Sequence, residues 1–105
     1  MDLTYLQQES KKWSAHNFPH AQSWEPLVGV MEEAGELAHA HLKEHQGIRA
    51  DDFKAKKEDA IGDIIIFLAD YCNRNRLILS RCVDRAWAEA SQRDWVKYPK
   101  NGISQ

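Results

Sequence analysis

The chain has 105 residues, of which 43% are hydrophobic and 29% charged, with a formal net charge of −2. That length allows one domain over residues 1–105 and not two, and so small a domain leaves much of its surface exposed. The charge balance argues against nucleic acid or an anionic membrane as partner, and the longest apolar run, Ile64–Ala69, is too short to span a bilayer.

In chain order, a first helix is expected from about Thr4 to His16, where Thr4 and Gln7 have capping-box spacing. "HNFPHAQS" reads as a loop. A second helix is expected from about Trp24 to Glu44, with Ser23 as N-cap, Pro26 in the first turn and Gly47 as the stop. A third should begin near Asp51 or Asp52 and end near Arg74. In the fourth, Leu79, Cys82, Val83, Ala86, Trp87 and Ala90 mark one apolar face. The tail "RDWVKYPKNGISQ" should leave the helix before Pro99. The reading is all-α, an antiparallel bundle of about four helices. Met1–Ser10 is polar and unlike a signal peptide, so a cytoplasmic location is expected, with Cys72 and Cys82 as buried, reduced thiols.

Carboxylates carry the chemical signal. On a helical wheel of the second helix, Leu27, Met31, Ala34, Ala38 and Leu42 form the main apolar stripe. Glu32, Glu33 and Glu36 fall opposite it, which for that helix alone reads as a solvated face. The third helix is apolar almost all round, yet Asp59, Asp63 and Asp70 run down it at spacings of four and seven. Charges on a buried helix must be paired or bind a cation. If the two acidic faces meet, two carboxylates about 4 Å apart repel by roughly 4 kcal/mol at an effective dielectric near 20. Mg²⁺ relieves that and keeps waters for substrate phosphates.

"EEAGEL" (Glu32–Leu37) followed by "DAIGDIIIFL" (Asp59–Leu68) resembles the MazG-like family of all-α nucleoside triphosphate pyrophosphohydrolases, over roughly Asn17 to Gly102. The family signature is E-E-x-x-E and then E-x-x-D on two facing helices, and "RDWVKYP" resembles its tail. The resemblance implies Mg²⁺ (Mn²⁺ as substitute), a nucleoside triphosphate substrate cleaved between the α and β phosphates, and a role in removing unwanted nucleotides. It places Glu33, Glu36 and Asp63 on metal-ligand positions and Glu32 on a ligand or water-activating position, making Glu32 and Glu33 the catalytic candidates. The Glu of E-x-x-D falls on Ala60, which cannot bind a metal; Asp59, four residues before Asp63, is the nearest substitute on that face. The competing reading is a non-catalytic oligomerisation or nucleotide-sensing module with a degraded metal site.

Other residues admit two readings. "ELAH" (Glu36–His39) matches a di-iron ligand pair, but such bundles need two copies and only one is present. Lys54, Lys56 and Lys57 read as a solvated helix start, with Lys56 also a candidate phosphate ligand. Trp13, Phe18 and Trp24 read as core aromatics or, by the resemblance, as walls of a base pocket, with Phe18 and Trp24 as the substrate-binding candidates. Lys97 and Tyr98 are candidates for a lid over the nucleotide, from the same or a neighbouring subunit. The apolar circumference of the third helix predicts a homodimer or dimer of dimers.

Overall fold

The computed structural model describes residues 1–47 and 50–105. Four helices follow in order, α1 (Leu3–Asn17), α2 (Glu25–Gln46), α3 (Phe53–Arg74) and α4 (Leu79–Ala90), with no strand among the described residues. The all-α expectation holds. Among those residues no helix is long and apolar enough to cross a membrane.

Local chemistry sets most of the helix ends. Asp52 caps α3 by accepting the Ala55 N–H at 3.1 Å. Gly47 closes α2 in the left-handed region at φ 66°, where a Cβ would be strained. Pro26 sits in the first turn of α2, where no helical carbonyl would receive its N–H. Two ends differ from expectation. Asp2, not Thr4, caps α1, accepting the Tyr5 N–H at 2.7 Å. Gln7 is thereby free to clamp the α3–α4 connection: its amide donates to the Leu77 carbonyl and accepts the Leu79 N–H, both at 2.8 Å. Ser23 makes no cap for α2; Trp24 holds that position without a side-chain bond.

Helices α2 and α3 form an antiparallel hairpin. Near the connection Lys57 pairs with Glu44, and at the far end Gly29 meets Phe67. A Cβ on Gly29 would lie 2.6 Å from the Phe67 ring, so only glycine permits this approach. Among the helices, α2 packs on α3 alone, whereas α1 packs on both α3 and α4. The main core lies at that second junction, where Ala69, Cys72 and Leu79 are buried against Leu3, Leu6 and Leu68. Cys82, expected inside, is exposed; Cys72 is buried. Burial first, and then the neighbouring Cys82, push the Cys72 thiol above its ordinary range.

The helical wheel of α2 carries a correction. Pro26, Gly29, Val30, Glu33, Leu37, Ala40 and Lys43 are the residues buried or half-buried, so they form the stripe that packs on α3. The expected apolar stripe, Leu27, Met31, Ala34, Ala38 and Leu42, is open, with Met31 72% exposed. Helix α3 is also less enclosed than its composition predicts, since Ile61 is 52% exposed. The radius of gyration, 17.3 Å, exceeds the roughly 13 Å expected for a compact chain of this length.

Gly29→Ala should therefore cost roughly 1–3 kcal/mol, because Phe67 must move. Gly35, with open space around it, should accept alanine with a gain of about 0.5–1 kcal/mol from helix propensity. Urea unfolding of the two variants measures the contrast; equal effects would show that α2 does not approach α3 over Phe67.

Candidate metal and nucleotide site

Glu32, Glu33 and Glu36 each offer a carboxylate oxygen, and these oxygens all lie within 4.8 Å of one another. Residues one, three and four apart converge here because α2 turns every 3.6 residues. Glu33 stands on the stripe that packs against α3 and is half-buried, while Glu32 and Glu36 flank it on the exposed edge. Opposite Glu33, α3 presents Asp63. Partial burial raises the Glu33 pKa first, followed by the charges of Glu36 and Asp63, a hydrogen bond with Glu36 and the charge of Glu32. The two acidic faces approach each other at Glu33 and Asp63, while Glu32 and Glu36 stay exposed.

They meet in a cleft of about 610 Å³ lined by these three glutamates, Asp63, Asp59 and the buried Ala60, with His39, Lys43 and Lys56 as its basic groups. Lys56 is held by Asp51 at 2.8 Å. Asp59 thus shares a cleft with Asp63, as its i, i+4 spacing predicts. The donor set is all oxygen and crowded enough to favour a hard divalent cation. The carboxylates close enough together to share one are Glu32, Glu33 and Glu36 of α2; Asp63 and Asp59 line the same cleft from α3 but lie outside that close cluster.

A second cleft, of about 490 Å³, adjoins the first and shares Glu33 and Asp63 with it. Its walls are Trp13 and Phe18, in edge-to-face contact at 5.6 Å, with Pro26, Ile66 and Phe67. Both Trp13 and Phe18 are about half exposed, so neither is a core residue. Trp24 lines neither cleft and is 57% exposed.

Lys97 and Tyr98 also line neither cleft of their own chain. They belong to a tail closed on itself by Asp94, whose carboxylate accepts the Val96 and Lys97 N–H groups and whose backbone pairs with Gly102 and Tyr98. Gly102 takes φ 75° with Arg93 and Trp95 beside it.

Sequence reasoning missed the polar end of the aromatic cleft. Asp70 is not part of the acidic cluster; Arg74 pairs with it at 3.0 Å and Ser14 donates to it at 2.8 Å. The i, i+4 spacing of Asp70 and Arg74 was the available signal. Ser14, on another helix, gave none. Comparison of the chain with family models, with curated proteins and with solved structures finds no match.

Because the Glu33 pKa is raised on folding, the metal-free native state binds a proton there more tightly than the unfolded chain. Its contribution is present below the ordinary glutamate range and is lost as pH rises through the raised value. Metal-free protein should lose stability over that window, and Glu33→Gln should flatten the loss. Thermal unfolding across pH in chelator tests this; identical profiles for the two proteins would show that Glu33 is not crowded.

Proposed function

We propose that the protein is a Mg²⁺-dependent nucleoside triphosphate pyrophosphohydrolase of MazG-like type, releasing a nucleoside monophosphate and pyrophosphate. The observation that carries this is the sharing of Glu33 and Asp63 between an acidic cleft and an aromatic one. A base stacked between Trp13, Phe18 and Phe67 would direct its phosphates past these two carboxylates into the acidic cleft. The phosphate nearest the sugar then lies at the shared border, which favours attack at the α phosphorus.

A bound Mg²⁺ would supply charge neutralisation for the phosphates and a lowered pKa for a coordinated water. The chain's own residues do the rest. Glu33, Glu36 and Asp63 would hold the cation, and Lys43 and Lys56 line the cleft where the outer phosphates would lie. Glu32 accepts the proton of the attacking water. A bond forms between the water oxygen and the α phosphorus, the bond to the bridging oxygen breaks, and pyrophosphate leaves. Ala60, where the family pattern has Glu, keeps a second reading in view: a module that binds nucleotides without turning them over.

The open stripe of α2 fits a second copy of the chain better than it fits water. Leu27, Met31, Ala34, Ala38 and Leu42 recur at the three- and four-residue spacing of a helix seam. A homodimer or dimer of dimers would cover it, and Lys97 and Tyr98, which reach neither cleft of their own chain, are then proposed to act on a neighbouring subunit.

Incubation with a panel of triphosphates and Mg²⁺ should yield monophosphate and pyrophosphate, and Glu32→Gln should lower kcat by about 10²–10⁴-fold. Diphosphate and phosphate as main products would overturn the mechanism, and nucleotide binding without turnover would establish the sensor reading. Asp59→Ala should raise the Mg²⁺ requirement nearly as much as Asp63→Ala; an indifferent Asp59 would leave the site one ligand fewer. In sedimentation at micromolar concentration the 12.1 kDa chain should run as a dimer or larger; a monomer would contradict the proposed association.

A further inference from the structure

The aromatic cleft has a polar end whose hydrogen-bond donors are almost all spent. Arg74 Nη2 donates to the Phe18 carbonyl at 3.2 Å and to Ser14 Oγ at 2.7 Å, and Nη1 donates to the Ala21 carbonyl at 3.1 Å. Its Nε donates to Asp70 Oδ1, and so does the Ser14 hydroxyl. The Ser10 hydroxyl donates to the Gln7 carbonyl at 3.2 Å. Both serine protons are therefore committed away from the cleft. Asp70 Oδ1 carries two bonds, while Oδ2 has no protein partner among the described residues. A carboxylate in an ion pair only accepts. Trp13, Phe18, Ile66 and Phe67 offer a flat ligand mainly apolar surface. A base entering this cleft finds Asp70 Oδ2 as the acceptor at the Ser14–Arg74 end, with Glu25, Glu33 and Asp63 as the other carboxylates of the lining.

We propose that Asp70 makes this cleft selective for nucleobases bearing an exocyclic amino group over their keto counterparts: cytosine over uracil, and adenine over hypoxanthine. This rests on the reading of the site as a nucleotide site. An amino group donates to Oδ2. A carbonyl at the same ring position sets two acceptors against each other, and the ring N–H beside it can meet the carboxylate only if the base shifts within the cleft. Arg74 and Ser14 are positioning residues. They fix the Asp70 carboxylate, and Arg74 ties down the carbonyls of Phe18 and Ala21, which belong to the loop forming the opposite wall.

The test compares isosteric pairs. Dissociation constants of dCMP against dUMP, and of AMP against IMP, are measured without metal, so that base recognition is read apart from the phosphate chemistry. The amino member of each pair should bind about ten- to a hundredfold tighter, the range for one hydrogen bond to a charged group. Asp70→Asn offers a donor as well as an acceptor and should bring both ratios close to one, with its fold checked by circular dichroism. Trp13→Ala should weaken both members of each pair and leave the ratios unchanged; if Asp70→Asn does not fold, the ratios of the wild type and of Trp13→Ala decide. Equal affinities, a keto preference, wild-type ratios in folded Asp70→Asn, or no binding of any of the four would overturn the proposal. Turnover of the matching triphosphates separates the two claims. Turnover without discrimination removes the base selectivity and keeps the hydrolase, whereas discrimination without turnover does the reverse.

Discussion

The confinement of Glu33 between two helices organises the candidate site. It lies on the stripe of α2 that packs against α3, half-buried, and Asp63 stands across from it. Gly29, one turn earlier, lets α2 approach Phe67 closely enough to hold that geometry. Glu32 and Glu36 are carried into the same region by helical periodicity. The outcome is a concentration of negative charge that only protons or a cation relieve, at a place the packing of the hairpin cannot easily vacate.

Helix α3 then separates two uses of the same residue type. Asp59 and Asp63 open into the acidic cleft, whose lining also carries His39, Lys43 and Lys56. Asp70, two turns beyond Asp63, is neutralised by Arg74 and bound by Ser14, and it closes the polar end of the aromatic cleft. One stripe of three aspartates therefore reaches both clefts, and the border between them falls at Glu33 and Asp63. The remaining face of α2 is apolar and open.

Much of this was legible in the sequence, and the failures have physical causes. The ends marked by Pro26, Gly47 and Asp52 were readable because a cap or a left-handed turn is a local event. The capping box at Thr4 lost to Asp2, which has the same spacing to its own N–H donor and lies nearer the chain start. The meeting of Glu33 with Asp63 was implied only by the family resemblance, since the wheel of α2 by itself put Glu33 on a solvated face. The orientation of α2 did not follow. A wheel with an apolar stripe on one side and a mixed stripe on another does not say which faces the partner helix in the same chain. The mixed stripe wins because Gly29 and Ala40 allow close approach, whereas Leu27, Met31 and Leu42 are bulky enough for a separate seam. The Ser14–Asp70–Arg74 network was invisible for a different reason: its members are up to 60 residues apart, and no local rule links them.

The central claim is that Glu33, Glu36 and Asp63 form a divalent-cation site between α2 and α3. Electron paramagnetic resonance of Mn²⁺ titrated into nucleotide-free protein tests it directly, because free Mn²⁺ gives a sharp signal that binding broadens away. The account predicts saturable loss of the free signal, reversed by Mg²⁺ in excess and much weakened in Glu33→Gln and Asp63→Asn. An unchanged free-Mn²⁺ signal, or binding that survives both substitutions, would contradict it.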